Sequence, residues 1–316
     1  VIKKYLETIF KLVNRKKYNF THKNILFNFK QAIREIAIMI PGLKMYELKL
    51  KLILKNLSIN RPIILFTLEQ KSPHASVECE VARLFGITPI QLMTVDQSHR
   101  MIPNPIYGDK FIVDFKLRED ILSKTYETNK IKYIYPVQFL NLKIDSKKLR
   151  YKICYFTNYT AYEENKKIIL FIKSYATKNN VLCAVRLHPR DNNKYSDLIG
   201  ENLQIISKKT SDYQLFNSIE TAITPPSSVI LHFLPYKVNL IYIDYFDTKK
   251  SAFIKEYKPR VQSIEEIEFW IENPLELKRE TEILSRKIFG EIKPMNSSKF
   301  LSDVELLIAK WNFNGN

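Results

Sequence analysis

The chain has 316 residues, a formal net charge of +17 and 45% hydrophobic residues. Its length exceeds what one hydrophobic core usually serves, and its apolar and aromatic content excludes a globally disordered protein. Glycine is rare, and the patterns G-x-G-x-x-G and G-x-x-x-x-G-K-[ST] are absent, which argues against the classical dinucleotide-binding and P-loop classes. We therefore expect two domains with separate cores.

Positive charge is concentrated at the start of the chain, where residues 1–60 carry 11 Lys and 2 Arg against 3 Glu. Within 1–17 the apolar residues recur at helical spacing and the basic residues face another side, which predicts an amphipathic helix. Such a helix either lies on an anionic membrane surface or packs on its own domain, and the sequence leaves both open. No apolar run approaches the roughly 18 residues of a spanning helix, so we expect a cytoplasmic protein that is at most peripheral on the inner membrane face.

The strong basic charge also raises the question of a nucleic-acid partner. Such a partner predicts a recognisable module, or a basic face interleaved with exposed aromatic residues. The sequence shows neither, and many lysines stand beside Asn and Ile, which indicates a compositional bias. We expect no nucleic acid among the partners.

The three cysteines, Cys79, Cys154 and Cys183, are odd in number and far apart. Two of them stand in apolar, strand-like runs, and no pair has the spacing of a zinc site. We expect reduced thiols inside the core of the protein.

The first half of the chain alternates strand and helix patterns. Apolar strands are predicted over 62–68, 88–93 and 110–115. Between the first two strands the spacing predicts a helix over 76–84, which Gly86 ends. This alternation is typical of a parallel sheet with crossover helices.

The second half repeats this alternation after a charged linker at 143–150. A helix is predicted over 164–176, and helical spacing continues from Ile264 to Trp311. The predicted strands are 152–156, 181–187, 203–206, 221–224 and 238–243.

These patterns predict three segments along the chain. Residues 1–146 form a first domain with a basic helical start, and residues 147–275 form a second domain; the motifs and the resemblance described below imply that these are the acceptor-side domain and the nucleotide-sugar donor domain. Residues 276–316 form C-terminal helices that pack across both domains.

Two strand ends of the second half carry polar motifs. His188-Pro189-Arg190 follows the strand at 181–187, and Thr157-Asn158 follows the strand at 152–156. Because ligands of open parallel sheets bind beyond the carboxyl ends of the strands, we expect these five residues to bind a donor molecule.

A pair of hydroxyl side chains precedes another apolar run. Ser227 and Ser228 stand between Thr224-Pro225-Pro226 and the run at 229–233, which predicts a helix N-terminus that favours an anion. Each motif alone is also compatible with a proline-stopped strand or an ordinary serine cap, but together and in this order they favour a phosphate pocket. The predicted ligand is the monophosphate or diphosphate ester of a nucleotide sugar.

Acidic residues follow two predicted strands of the first half. Glu69 ends the strand at 62–68, and Asp96 comes shortly after the strand at 88–93. Glycosyl transfer needs a base for the acceptor hydroxyl, because an alcohol is a poor nucleophile. Asp96 is the first candidate, Glu69 the second, and His99 a candidate partner. The competing interpretation of this segment is a polar turn between strands.

The remaining roles follow from charge. Gln97 and Arg100 are candidate acceptor-binding residues, Arg100 for an acidic group. His188 is expected to protonate or hydrogen-bond the departing phosphate, while Arg190 and the two serines hold its charge. No Asp-x-Asp follows a strand, so we expect no metal ion and no cofactor beyond the nucleotide-sugar donor.

Two such domains, with the nucleotide site in the second, resemble the GT-B glycosyltransferases. The pair His188-Pro189 and Ser227-Ser228 resembles the His-Pro and Ser-Ser/Thr motifs of bacterial sialyltransferases and polysialyltransferases. The segment from Ala82 to Ile87 is similar to the A-R-x-x-G-I helix end in the acceptor half of capsule and lipopolysaccharide transferases. The resemblance in architecture covers most of the chain, but only a few residues are identical to those of the motifs. The acidic-acidic-Gly motif that supplies the base in those sialyltransferases is missing. The most similar triplet in this sequence is Glu163-Glu164-Asn165.

The resemblance implies a GT-B-like α/β fold, with two doubly wound Rossmann-type domains facing a cleft and C-terminal helices crossing back. It implies a metal-independent, sialyltransferase-like glycosyltransferase of capsule or lipooligosaccharide synthesis. Its donor would be a CMP-activated nonulosonate and its acceptor an oligosaccharide or glycolipid. The open alternatives are a UDP-sugar or CDP-glycerol donor on the same scaffold, and a non-catalytic nucleotide- or glycan-binding protein.

Overall fold

A computed structural model of the chain describes residues 41–55, 65–67, 73–93, 107–124, 126–134, 139, 149–207, 209–244, 254, 256–292 and 295–313. The chain divides into two compact units, the first holding a four-stranded sheet and the second a six-stranded sheet. The predicted helix within 1–17 and most of the predicted linker lie outside the described residues. Within the described ranges, no helix is long and apolar enough to cross a bilayer.

The first sheet has the order β1-β2-β3-β4, and each neighbouring pair is parallel. The three strands and the crossover helix predicted for this half are confirmed, while α1, α3 and β4 were not predicted. Up to residue 134 the elements are α1 (41–55), β1 (Leu65–Thr67), α2 (Pro73–Leu84), β2 (Pro89–Met93), β3 (Lys110–Val113), α3 (Lys116–Leu122) and β4 (Ile131–Tyr133).

Helix α2 ends where the sequence predicts. Gly86 has a φ of +69°, in the left-handed region that favours glycine. Its N–H donates to the Arg83 carbonyl at 3.1 Å, and the Ile87 N–H donates to the Ala82 carbonyl at 2.9 Å. This pair of bonds is a Schellman motif, which satisfies carbonyls that the helix end leaves without partners.

Helix α1 packs one side against α2. Tyr46, Leu50 and Leu54 lie against an apolar cluster that includes Val77 and Val81 of α2. The Tyr46 hydroxyl also donates to the Glu78 carboxylate at 2.6 Å. Burial, followed by this bond and the charge of Glu78, raises the pKa of Tyr46 to about 12.

A buried ion pair joins the end of β3 to α3. The Arg118 guanidinium donates to the Asp114 carboxylate at 2.5 Å, and both side chains are 1% exposed. Such charges are stable out of water only when they are paired and hydrogen-bonded. The pair therefore constrains the chain where it leaves the carboxyl end of β3.

The second sheet has the order β10-β9-β8-β5-β6-β7, and all its neighbours are parallel. The strands predicted for this half are confirmed with ends shifted by up to two residues, and the helix predicted over 164–176 is longer. The elements are β5 (Tyr151–Phe156), α4 (Tyr162–Asn179), β6 (Cys183–Arg186), β7 (Leu203–Ile205), α5 (Asp212–Ser218), β8 (Ile219–Thr224), α6 (Val229–Phe233), β9 (Asn239–Ile243), β10 (Arg260–Val261), α7 (Ile264–Glu272), α8 (Pro274–Phe289) and α9 (Ser297–Phe313).

The core of the second unit forms because the buried, largely apolar faces of its strands are covered by amphipathic helices. Ile168, Ile169, Ile172 and Ala176 share one face of α4 and are fully buried. Apolar residues of α7 and α8 join the same cluster with β5, β6, β8 and β9. Parallel strands with such faces need this cover.

The three cysteines are free and buried, as predicted. Cys79 lies in α2, while Cys154 and Cys183 lie in the adjacent strands β5 and β6. Burial raises the pKa of the Cys79 thiol to about 12 and that of Cys183 to about 11. These thiols are therefore protonated at neutral pH and serve packing.

Replacing Arg118 with Met should lower the free energy of unfolding of the first unit by about 3–5 kcal/mol, because the Asp114 carboxylate stays buried without its cation. Hydrogen exchange of the β2 and β3 amides, followed as a function of urea concentration, measures the free energy of unfolding of this unit. The control is Lys130→Gln, which breaks an exposed ion pair with Glu127 (N–O distance 3.0 Å) and should cost under about 1 kcal/mol. Equal effects of the two substitutions would contradict the assigned role of the buried pair.

Candidate functional site

The strand order of the second sheet reverses at β5. From β5 the chain runs outward through β6 and β7, and then returns to place β8 on the other side of β5. Phe156 of β5 pairs with Arg186 of β6, and Tyr155 pairs with Ile223 of β8, so the three carboxyl ends lie side by side. A crevice at such a switch point is where open α/β sheets bind ligands.

The loop after β6 is a tight turn that orients the predicted histidine. The Asp191 N–H donates to the His188 carbonyl at 2.8 Å. The Arg190 N–H donates to Nδ1 of His188 at 3.1 Å. An imidazole nitrogen that accepts a hydrogen bond carries no proton, so the neutral ring holds its proton on Nε2. The turn thus selects one tautomer of His188.

The loop after β5 is joined to this turn through Thr157. Its Oγ1 accepts the His188 N–H at 3.0 Å and donates to the Asp191 carboxylate at 2.7 Å. Its own N–H donates to the Arg186 carbonyl at 3.1 Å. The predicted donor-binding residue Thr157 is therefore buried, and its hydroxyl holds the two loops together.

Asp191 is the anchor of the turn, and it is only 2% exposed. Its Oδ2 accepts from the hydroxyls of Thr157 and Tyr195, the latter at 3.1 Å. Its Oδ1 accepts from the backbone and side-chain amides of Asn193, at 3.1 and 2.9 Å. These four donors are neutral, and together they satisfy both oxygens of a carboxylate that is out of water.

Asn165, in the first turn of α4, connects the network to the strand below. Its Oδ1 accepts from the Tyr155 hydroxyl at 2.7 Å and from the Asn158 N–H at 3.1 Å. Its Nδ2 donates to the Asn158 carbonyl at 2.6 Å and to the Tyr195 hydroxyl at 2.9 Å. All four hydrogen-bonding positions of this fully buried amide are used.

Tyr195 is fixed between these two polar groups. Burial raises the pKa of its hydroxyl to about 12, and the nearby Asp191 carboxylate acts in the same direction, while the hydrogen bond from Asn165 opposes the shift. The hydroxyl therefore remains a donor to Asp191 at any pH at which the protein works.

The outer surface of the turn carries an aromatic ring and a cation. The Tyr159 and His188 rings lie against each other, with centroids 4.8 Å apart and an angle of 31° between their planes. The Arg190 guanidinium lies 5.9 Å from the centroid of the Tyr159 ring. Tyr159 and Arg190 are both exposed, so this face offers a planar surface and a positive charge to a ligand.

The predicted serine pair follows the strand on the other side of β5. Helix α6 begins at Val229 with Ser228 in the N-cap position, but the side chain of Ser228 makes no capping bond. Ser227 instead accepts the Val229 N–H on its Oγ at 3.3 Å. Since β8 and β6 are separated only by β5, the ends of these two strands are about 10 Å apart.

The other predicted site residues belong to the first half of the chain. Glu69, Asp96, Gln97, His99 and Arg100 lie outside the described residues. The strands that precede them, β1 and β2, are parallel neighbours. The assignment of these five residues stays a prediction.

No part of the described chain places three or more His, Cys, Asp or Glu side chains where they could hold a metal ion. The Asp244 carboxylate, which follows β9, is paired with the Arg260 guanidinium at 3.3 Å. Metal independence stays an expectation drawn from the sequence.

Sequence reasoning missed three residues of the site: Asp191, Asn165 and Tyr195. It assigned no role to Asp191, and it considered Asn165 only as the third residue of Glu163-Glu164-Asn165. Tyr195 carried no signal, because its partners stand 4 and 30 positions away along the chain. The nearest available signal was an acid two residues beyond His188-Pro189.

No protein-family model and no curated protein matches the chain. Several solved structures do share its fold. A Listeria monocytogenes protein assigned as a UDP-N-acetylglucosamine 2-epimerase has a TM-score of 0.55 at 9% identity, covering 87% of this chain and 80% of that chain. The UDP-GlcNAc 2-epimerase of Methanocaldococcus jannaschii has a TM-score of 0.54 at 12% identity, covering 84% and 82%. A glycosyltransferase from Rickettsia africae has a TM-score of 0.51 at 12% identity, covering 84% and 81%.

The chain has the fold of these GT-B-like structures. The predicted α/β class is confirmed, because both sheets are parallel and helices connect their strands. The similarity is one of fold, since the identities are 9–12%. None of the three similar structures is named as a sialyltransferase.

Replacing Thr157 with Val should destabilise the second unit by about 1–3 kcal/mol, because it removes one donor from Asp191 and leaves the His188 N–H without its acceptor. Thr157→Ser keeps the hydroxyl and loses only a buried methyl, which costs about 0.8 kcal/mol. Urea unfolding followed by tryptophan fluorescence measures stability, and amide exchange at His188 reports on the turn. If Val and Ser had the same effect on both, the hydroxyl would not be what holds the two loops.

Proposed function

We propose that the second unit binds the nucleotide part of a UDP-sugar at the carboxyl edge of its sheet, and that the protein is a metal-independent glycosyltransferase. The observation that carries the proposal is the His188 turn, held at the switch point of the sheet by buried Asp191 and Thr157. Two structures with this fold are named for UDP-N-acetylglucosamine and a third for glycosyl transfer, which supports a UDP-linked donor.

The proposed phosphate contacts come from two sides of β5. On the β6 side, Nε2–H of His188 donates to a phosphate oxygen and Arg190 supplies positive charge. On the β8 side, Ser227 and Ser228 offer hydroxyls. The separation of about 10 Å between the two strand ends suits a diphosphate with its attached sugar better than a single phosphate.

In the proposed reaction His188 stabilises the negative charge that develops on the departing nucleotide. As the bond between sugar and phosphate breaks, negative charge grows on the phosphate oxygen. A donor already aimed at that oxygen, with its tautomer selected by the turn, costs little reorganisation at the moment of reaction.

The roles proposed for the residues on the acceptor side are inferred from the sequence. An acceptor hydroxyl, on an oligosaccharide or a glycolipid, must lose its proton as it attacks the sugar carbon. Asp96 is the proposed base and Glu69 the second candidate, with His99 as a partner. Gln97 and Arg100 would contact the acceptor.

A CMP-activated nonulosonate is the second candidate donor, favoured by the joint presence of His188-Pro189 and Ser227-Ser228. That donor carries one phosphate and a sugar carboxylate, which Arg190 or Arg100 could bind. A CDP-glycerol donor, an epimerase and a non-catalytic binding protein are the further outcomes that the experiments below separate.

UDP should raise the melting temperature more than CMP, CDP, GDP or ADP, with or without EDTA, because a ligand that binds only the folded state stabilises it. Arg190→Gln should weaken UDP binding by about 10-fold or more, since it removes a charge-assisted contact. Arg150→Gln is the matched control, because Arg150 also stacks on a tyrosine, with its guanidinium 5.1 Å from the Tyr151 ring centroid, but stands before β5 at the amino edge. Selective stabilisation by CMP or CDP would change the donor, and no response to any nucleotide would contradict the proposal.

Asp96→Asn should lower glycosyl transfer by about 10²–10⁴-fold while leaving the UDP-induced melting shift unchanged, because only proton removal is lost. Transfer is measured with a UDP-sugar and a panel of oligosaccharide and glycolipid acceptors, and Glu69→Gln is tested beside it. A loss confined to Glu69→Gln would assign that residue as the base. Conversion of the UDP-sugar without any acceptor would identify an epimerase, and nucleotide binding without turnover a non-catalytic protein.

A further inference from the structure

Helix α1 of the first unit is apolar on two opposite sides. One side, with Tyr46, Leu50 and Leu54, packs on α2. The other side exposes Met45, Leu48 and Leu52, which are 56%, 52% and 55% exposed. We call these three residues the α1 stripe. A single exposed leucine is ordinary on a protein surface, whereas a row of large apolar side chains indicates an interaction site.

The geometry of the helix makes the stripe continuous. At about 100° per residue, positions 45, 48 and 52 fall on one line along the helix, facing away from Leu50 and Leu54. Burial in the core of the first unit therefore leaves the stripe pointing outward.

Lysines border the stripe on both sides. Lys49 stands on one side, and Lys44, Lys51 and Lys55 stand on the other. The acid of this helix, Glu47, is bound to Lys51 at 2.6 Å on the side nearer the core. The surface is thus an apolar row with one lysine on one side and three on the other.

We propose that the α1 stripe and its lysines bind the surface of an anionic lipid bilayer. Apolar side chains on such a face enter the boundary between headgroups and acyl chains, while lysines reach the negatively charged headgroups. The net charge of the whole chain, +17, acts in the same direction.

Charge disfavours a second copy of the chain as the occupant. A symmetric dimer through the stripe would bring the same patch on both subunits together. The lysines of one copy would then face those of the other, with Glu47 as the only acid of α1 to offset them. An anionic bilayer offers acyl chains to the apolar row and negatively charged headgroups to the lysines beside it.

The test is co-sedimentation of the full chain with vesicles of phosphatidylcholine alone and of phosphatidylcholine mixed with phosphatidylglycerol. We expect binding to the mixed vesicles that weakens as salt is raised, because exposed charges are screened. The triple substitution Met45→Gln, Leu48→Gln and Leu52→Gln should lower this binding by at least about 10-fold. Gln has a helix propensity close to those of Leu and Met, so the exposed substitutions keep α1 folded, which circular dichroism checks.

A matched control removes at least as much exposed apolar surface elsewhere. Leu275, Leu301 and Leu306 of the second unit are 84%, 58% and 68% exposed, and their replacement by Gln should leave vesicle binding unchanged. For the charge, Lys44→Gln with Lys49→Gln should lower binding by about 5-fold for each lysine. The same pair of changes at exposed Lys167 and Lys178 of α4 serves as the control.

Three outcomes would overturn the proposal. The α1 triple variant could bind mixed vesicles as well as the parent protein, which would assign any binding to another part of the chain. Binding could be equal with and without phosphatidylglycerol, which would remove the role of the lysines. Sedimentation velocity could show a dimer that the triple variant abolishes while vesicle binding persists, which would assign the stripe to a second copy.

Discussion

The buried carboxylate of Asp191 is the charge on which the carboxyl edge of the second sheet depends. Taking a carboxylate out of water costs several kcal/mol unless its oxygens are fully hydrogen-bonded. Four neutral donors from Thr157, Tyr195 and Asn193 meet that need. Because those donors come from the loop after β5 and from the chain beyond β6, the hydrogen-bonded carboxylate holds the two loops together. His188 lies in the second of these loops, in the turn that Asp191 anchors.

This arrangement restricts the loops after β5 and β6 to one geometry. Asn165 uses all of its hydrogen-bonding positions on Tyr155, Asn158 and Tyr195, so the network extends from a central strand to the surface. A fully satisfied polar network specifies one geometry, since any shift would leave a buried group without a partner. Binding to a loop held in this way loses less conformational entropy than binding to a mobile one. The polar interior thus supports the exposed face of His188, Tyr159 and Arg190.

Much of the fold could be predicted because its signals are local. Largely apolar segments indicated β5, β6, β8 and β9, and Gly86 indicated the end of α2, since each signal depends on a few neighbouring residues. The short strand β4 was missed, although Ile131 and Tyr133 alternate with lysines, because three residues give little periodicity. Thr157 was placed at the correct strand end, and its assignment to donor binding stays a prediction. Its hydroxyl is engaged by Asp191, which stands 34 positions away in sequence.

The sequence by itself determined the α/β class, the parallel strands of the second sheet and the position of His188-Pro189 beyond the end of β6. These follow from hydrophobic periodicity and from the rule that parallel strands end at one edge. Only the tertiary structure decided which polar residues are buried, which tautomer His188 adopts and which side of α1 faces outward. Those outcomes depend on contacts between residues far apart in the chain, and a helix that is apolar on two sides gives no local indication of which side the core will cover.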